Sequence, residues 1–298
     1  MSLSVVVPTL NGREQLATCL DGLRAVAPDA EVVVVNGPSA DGTTGMARER
    51  TDVDRIVQIA DRRLTVAWNA GIDHASGESI ALLNRSLTVE QGWLDGLNAG
   101  LIDAAVVTGP TRAELRGGTT AEARRTQTIA GRTVQQITPG NFAVRRSILD
   151  EFDGFDEYLE DGGTEDLAHR VANAGYAVDW QPTMAATREY EADGGVTERR
   201  WYWEYRGRAY TWAKNYGLRP SVLARLLGTS LRDAGRSLRA VIGGGATPSK
   251  WLGNGRDVTA GMLTGLKDGR RARRRDAAPR RNPNGRSMRT DRVVEVYE

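Results

Sequence analysis

Leu3-Ser4-Val5-Val6-Val7-Pro8-Thr9-Leu10-Asn11-Gly12 and, one helix later, Glu31-Val32-Val33-Val34-Val35-Asn36-Gly37-Pro38-Ser39-Ala40-Asp41-Gly42-Thr43 decide the reading of this chain. Each begins as a short β-branched run, the pattern of strands buried in a parallel sheet. Between them, Arg13–Val26 repeats apolar residues at Leu16, Cys19, Leu20 and Leu23, the spacing of one helix face. Strand, helix, strand in that order is a unit whose crossover should be right-handed.

The alternation continues outward. Strands are predicted at Ile56–Ile59, Ser79–Leu83, Ala104–Thr108, Ile137–Val144 and Ala177–Gln181. Helices are predicted at Thr43–Arg50, Thr65–His74, Glu90–Leu101 and Glu165–Ala174. Thr111–Gln135 is polar, has weak periodicity and reads as a mobile excursion. The fold class is therefore α/β, a mostly parallel central sheet flanked by helices, with ligands expected beyond the carboxyl ends of the strands. Attention falls first on the segments after Val7, Val35 and Leu83.

From Trp201 the composition changes. Seven Trp and Tyr residues crowd into Trp201–Tyr216, interleaved with Arg206 and Arg208. Ser221–Ile242 follows as an amphipathic helix. At 100° per residue, Arg225, Arg232, Arg236 and Arg239 share one side, while Leu223, Leu227, Leu231, Leu238 and Val241 share the other. Residues 1–217 thus read as the α/β domain, 218–265 as an amphipathic helical extension and 266–298 as a basic tail without fixed structure.

Charge and composition narrow the partners. The 298 residues are 40% hydrophobic with a net charge of +2, yet residues 266–298 hold eleven Lys and Arg against five Asp and Glu. A basic tail on a mildly acidic body points to an anionic surface. No nucleic-acid motif is present, which leaves anionic lipid. Met1–Val7 is not a signal peptide, and no run of about 18 apolar residues predicts a membrane span. Cys19, the one cysteine, cannot form an internal disulfide and reads as a buried, inert thiol.

The order of landmarks resembles family 2 glycosyltransferases of the GT-A fold. The two opening motifs match that family's first and second strands. Trp68-Asn69-Ala70-Gly71 is similar to its Asn-x-Gly helix. Leu82-Leu83-Asn84-Arg85-Ser86 stands where its Asp-x-Asp segment belongs, followed by Gly92-Trp93-Leu94. Gly140-Asn141-Phe142, Phe152-Asp153-Gly154-Phe155 and Glu165-Asp166-Leu167 with Arg170 complete the series over roughly residues 3–217.

The resemblance implies an inverting transfer of sugar from a nucleotide donor to a hydroxyl acceptor. That acceptor would be a lipid-linked glycan, for surface polysaccharide or protein N-glycosylation, handled by a cytoplasmic enzyme peripheral to the inner face of the membrane. Donor binding falls to Pro8, Thr9, Asn11, Asn36, Asp41, Asn69, Asn84 and Arg85. The acceptor or phosphate side falls to Asn141, Arg170 and Arg206. One of Glu165 and Asp166 is the implied general base, with Asp166 the first choice.

The family's Mn²⁺ or Mg²⁺ is in doubt. Ser86 stands where the metal-binding carboxylate is expected, and Ala186-Thr187-Arg188-Glu189 lacks a histidine common in relatives. Three readings stay open: Arg85 replaces the metal; a metal binds through Asn84, Ser86 and the pyrophosphate; or the domain is catalytically silent and binds a sugar nucleotide or a partner enzyme.

Overall fold

The computed structural model describes residues 2–115, 118–188, 199–245 and 247–298. Along the chain run β1 (Leu3–Thr9), α1 (Arg13–Val26), β2 (Glu31–Asn36), α2 (Thr43–Arg48), β3 (Arg55–Ile59), α3 (Leu64–His74), β4 (Ser79–Leu83), β5 (Leu87–Val89) and α4 (Trp93–Asp103). There follow β6 (Val106–Thr108), β7 (Thr111–Leu115), β8 (Gly118–Ala121), β9 (Thr126–Ile129), β10 (Arg132–Gln135), β11 (Asn141–Arg145), α5 (Arg146–Glu151) and α6 (Gly163–Ala174). The chain then forms β12 (Val178–Trp180), β13 (Ala186–Arg188), α7 (Trp201–Tyr216), α8 (Pro220–Ile242), α9 (Pro248–Arg275) and β14 (Val293–Tyr297).

The main sheet has the order β12-β6-β11-β4-β1-β2-β3-β14. β4, β1, β2 and β3 are parallel to one another, β11 runs antiparallel between β4 and β6, and β14 runs antiparallel to β3. The valine runs are buried on both faces because side chains alternate across a strand. Val5 and Val7 join Leu16, Leu20, Leu23, Trp93 and Leu97 in one core, while Val6 joins Trp68, Ile72, Phe142 and Phe155 in the other. Cys19 is buried in the first core, where burial raises its thiol pKa to about 12.

Two sequence expectations are revised. Thr111–Gln135, read as an excursion of weak periodicity, contributes two short hairpins, β7 with β8 and β9 with β10. The last 33 residues, read as a tail without fixed structure, form the end of α9, a turn and the edge strand β14. Composition misled because the arginines of this tail are tied down. Arg292, 4% exposed, donates to Glu157 and to the Arg286 carbonyl, and Asn282 donates to the carbonyls of Phe152, Asp153 and Gly154.

α8 forms where the amphipathic helix is expected. It packs through Val222, Leu226 and Asp233, and its leucine side faces outward, with Leu227, Leu231, Leu238 and Ile242 exposed. α9 lies tightly on α7 along a stripe of Gly261, Gly265 and Gly269, where an added Cβ would come within 2.3–2.5 Å of the carbonyl oxygens of Tyr202, Arg206 and Tyr210. No helix among the described residues is long and apolar enough to cross a membrane.

Candidate active site

The carboxyl ends of β1 to β4 open on one side of the sheet, and a cavity of about 310 Å³ lies over them. Pro8 and Thr9 line it from β1, Gly37 from β2, Asp61 and Arg63 from the turn after β3, and Asn84 and Arg85 from β4. Gly140 brings the start of β11 against Asn84. Its φ is +77°, its carbonyl accepts the Asn84 N–H at 2.9 Å, and a Cβ would sit 2.6 Å from that of Asn84. Only glycine fits such a turn and such an approach.

A second cavity of about 500 Å³ adjoins the first, sharing Leu64, Trp68 and Pro139 with it. Gly162, Gly163, Thr164 and Glu165 line it from the start of α6, and Gln127 from β9. The strand tips and the acidic turn therefore border one continuous cleft.

Within this frame the expected residues divide. Thr9 donates its hydroxyl to the Asn11 carbonyl, and Asn11 and Asp41 tie two loops together rather than lining the cavity. The Asp41 carboxylate accepts the N–H groups of Gly12 at 2.7 Å and Arg13 at 3.1 Å, and the Thr43 hydroxyl at 2.5 Å. That Thr43 bond above all, with the backbone donors, holds its pKa at about 2. Asn36 is buried between Thr44 and Ser39. Asn69 is buried and bridges α3 to Phe155 and Glu157, and Asn141 is buried against Trp93, Pro110 and Met184. Arg206 donates to the Tyr158 hydroxyl and lies over its ring. None of Asn11, Asn36, Asp41, Asn69, Asn141 or Arg206 lines either cavity.

The two acidic neighbours differ sharply. Asp166 is fully buried between Lys214 Nζ at 2.7 Å, Arg170 Nε at 2.9 Å and Asn215 Nδ2 at 3.0 Å. Burial alone would raise its pKa, but Lys214 and Arg170 outweigh it and hold the carboxyl below its ordinary value. Lys214 also pairs with Asp156 at 2.7 Å, and Arg170 donates to the Phe152 and Gly154 carbonyls, so the cluster pins α6, α7 and the loop between α5 and α6 together. Glu165 keeps 30% of its side chain exposed and lines the second cavity. It accepts the Trp212 indole N–H at 3.1 Å, with His169 Nε2 at 3.7 Å. Burial opposes ionisation here too, and His169, Arg208 and Trp212 overcome it to lower the pKa.

Sequence reading missed Asp61, Arg63, Trp68, Gln127, Lys214 and His169. The turn after β3 obeys the same strand-end rule as its neighbours, so Asp61 and Arg63 were within reach. His169, four residues after Glu165, shares its helix face. Lys214 and Gln127 carried no local signal. Asp61 is held by Arg63, whose hydrogen bonds chiefly set its pKa at about 2, and by Arg289 from the tail at 3.5 Å.

A divalent cation does not fit the residues at the β4 tip. Asn84 Oδ1 accepts the Ser86 N–H at 3.1 Å and its hydroxyl at 3.2 Å, which turns these neutral groups on each other. The one carboxylate lining the first cavity, Asp61, is already paired with arginine. Among the described residues, no group of three or more His, Cys, Asp or Glu side chains comes together as a metal site. Glu189 lies outside the described residues.

Comparison with known proteins agrees with this architecture. Residues 4–153 match the profile of "Glycosyl transferase family 2". The chain is 26% identical over 194 residues to glycosyltransferase AglE of Haloferax volcanii, covering 59% of this chain and 63% of that one. It is 25% identical over 210 residues to the pre-mycofactocin glycosyltransferase of Mycobacterium tuberculosis, covering 63% and 43%. The chain thus spans less than two thirds of the length of these relatives. Among solved structures, the mannosyltransferase PcManGT of Pyrobaculum calidifontis, in complex with GDP-Man and Mn²⁺, superposes with a TM-score of 0.58 at 17% identity, covering 91% and 86%. S. aureus TarS residues 1–349, in complex with UDP-GlcNAc, gives 0.58 at 16% identity, covering 92% of both chains. The shared fold is GT-A, and with half of its length matched by the family profile, the chain belongs to glycosyltransferase family 2.

Proposed function

We propose that this chain transfers a sugar from a nucleotide donor to a hydroxyl acceptor with inversion at the anomeric carbon. The observation that carries the reading is the continuity of the two cavities through Leu64, Trp68 and Pro139, with Arg85 in one and Glu165 in the other. A nucleotide in the first cavity presents its sugar to the second. The acceptor oxygen attacks the anomeric carbon while the bond from that carbon to the diphosphate oxygen breaks. The electron pair leaves with the nucleoside diphosphate, and the hydroxyl proton passes to the Glu165 carboxylate. Glu165 suits the role because it is ionised and open to the cavity, whereas Asp166 is spent on Lys214 and Arg170. Trp212 and His169 orient it.

The acceptor in this proposal is lipid-linked and met at an anionic membrane surface. Support comes from the outward leucines of α8 and from a groove of about 580 Å³ between α8 and α9, lined by Ala234, Trp251, Leu252, Val258 and Leu263. Apolar residues exposed beside Arg225, Arg232, Arg236 and Arg239 form the surface of a helix that lies in a lipid interface. The rival is a silent domain that binds a sugar nucleotide without turning it over, favoured by the missing carboxylate at Ser86.

The test is transfer from a panel of radiolabelled UDP-, GDP- and dTDP-sugars into lipid extract or water-soluble acceptors. We expect label in the lipid phase, and a loss of about 10²- to 10⁴-fold in kcat for Glu165→Gln with donor affinity retained, the span of general base catalysis. Saturable donor binding without transfer across the panel favours the silent domain. Transfer confined to soluble acceptors removes the lipid assignment.

A further inference from the structure

We infer that Arg85 supplies, within this chain, the positive charge on which the donor diphosphate is held, and that binding and transfer proceed without a divalent cation. The inference rests on the proposed glycosyl transfer and adds to it the chemistry of the diphosphate subsite.

Four observations carry it. The β4 tip offers Asn84, Arg85 and Ser86, so the carboxylates that would collect a cation are absent where the diphosphate is expected, and Asn84 and Ser86 are engaged with each other. The Nε of Arg85 is buried and has no hydrogen-bond partner, and the Nε1 of Trp68 is likewise buried and unpartnered. Both residues line the first cavity, and Trp68 lines the second as well. Buried donors left unpaired are costly, so two on one cavity wall mark where a ligand's acceptor oxygens belong.

The third observation is the space made for Arg85. Gly12 has φ +91°, and a Cβ there would stand 2.5 Å from Arg85 Nε and 3.3 Å from its Cδ. The guanidinium stem lies across the glycine that begins α1. Fourth, the positive end of α1, the natural rival for an anion, is already taken: Asp41 accepts the N–H groups of Gly12 and Arg13. Two further arginines line the first cavity: Arg63 is committed to Asp61 and to the Glu157 carbonyl, and Arg62 is exposed to solvent. Of these three arginines, Arg85 is the one with a buried and unpartnered Nε on the cavity wall, and its planar fork matches two phosphate oxygens at once.

In the transfer step, the charge that builds on the leaving diphosphate as the glycosidic bond breaks is met by this guanidinium. The proton still goes to Glu165, and no redox partner or further co-reactant is required.

The experiment is calorimetric titration of the full chain with UDP, GDP and the parent nucleosides, in EDTA and in millimolar MnCl₂ or MgCl₂. The variants are Arg85→Gln, Arg85→Lys and Gly12→Ala, with melting curves to establish that each folds. We expect one nucleoside diphosphate to bind the wild type with the same affinity, within about twofold, in EDTA and in Mn²⁺. Arg85→Gln should weaken the diphosphate by about 10- to 100-fold and leave the nucleoside unchanged, the range of a charge-assisted hydrogen bond. Arg85→Lys should recover part of the loss, and Gly12→Ala should mimic it by displacing the side chain. Binding that disappears in EDTA and returns with Mn²⁺ overturns the inference and leaves glycosyl transfer standing. Equal diphosphate affinity in wild type and a folded Arg85→Gln overturns it too. A folded wild type that binds no nucleoside diphosphate in either buffer brings down the transferase reading itself.

Discussion

Adjacent residues on a helix point about 100° apart, and on α6 that rotation separates two carboxylates that look alike in sequence. Glu165 turns to the cavity; Asp166 turns to Lys214 and Arg170. Removing one partner of a fully buried ion cluster leaves uncompensated charge, at a cost of about 3–5 kcal/mol. Asp166→Asn should therefore lose about that much stability in urea denaturation, whereas Glu165→Gln should unfold at nearly the wild-type midpoint. A reversed pattern would exchange the two assignments. The Asp41 tie between the first two loops is electrostatically robust. Its carboxyl titrates at about 2 against an ordinary 3.8, so the stability it adds is complete above 3.8 and is lost as the pH falls through about 2.

Strand tips were a partial guide: Asp61 and Arg63, at the tip of β3, were passed over, and Asn36, at the tip of β2, is buried. Pro8, Thr9, Asn84 and Arg85 were found from strand tips, and all four line the first cavity. Asn69, Asn141 and Arg170 were drawn from a family pattern, and they are buried in hydrogen bonds that hold the loops in register. A pattern records that a residue matters without distinguishing contact with ligand from support. Lys214 was invisible for a different reason: the two carboxylates it joins, Asp156 and Asp166, are 58 and 48 positions away.

At the scale of elements, α9 shows how a polar, glycine-rich segment becomes a well-seated helix. Its five glycines would ordinarily weaken a helix, by about 1 kcal/mol each relative to alanine. Here Gly261, Gly265 and Gly269 let the backbone of α9 meet that of α7, and hydrophobic periodicity gave no hint of it because the contacting residues have no side chains. Gly265→Val should cost about 3 kcal/mol or more, since its Cβ would start 2.3 Å from the Arg206 carbonyl oxygen. Thermal melting checks this. Because α7 carries Trp212 and Lys214, the same variant should also lower activity by disturbing Glu165 and Asp166.

On the whole-molecule scale, the α/β alternation was readable from the valine runs, including the split of Val5, Val6 and Val7 between two cores. The closure of the sheet was not. β14 pairs with β3 at the far edge, and the segment leading into it, through Arg286, Ser287, Arg289 and Arg292, is held by single residues scattered over Asp61, Asp73, Asp150, Asp153 and Glu157. No local periodicity encodes such contacts. A chain ending at Arg275 should melt lower, aggregate through the uncovered β3 edge and bind nucleotide more weakly, because Asp61 loses Arg289. Light scattering and titration of the truncated chain measure these effects, and unchanged solubility with unchanged affinity would show the strand to be dispensable.

That edge strand also sets an order of events. The strand tips and the Glu165 turn leave the ribosome well before residues 293–297, yet the sheet they belong to keeps a bare rim until β14 docks. A nascent chain therefore carries its strand tips and the Glu165 turn beside an unguarded rim for as long as the codons up to β14 remain to be translated. Fusions or tags that burden the carboxyl terminus act on that interval, and through it on how much protein escapes misassembly.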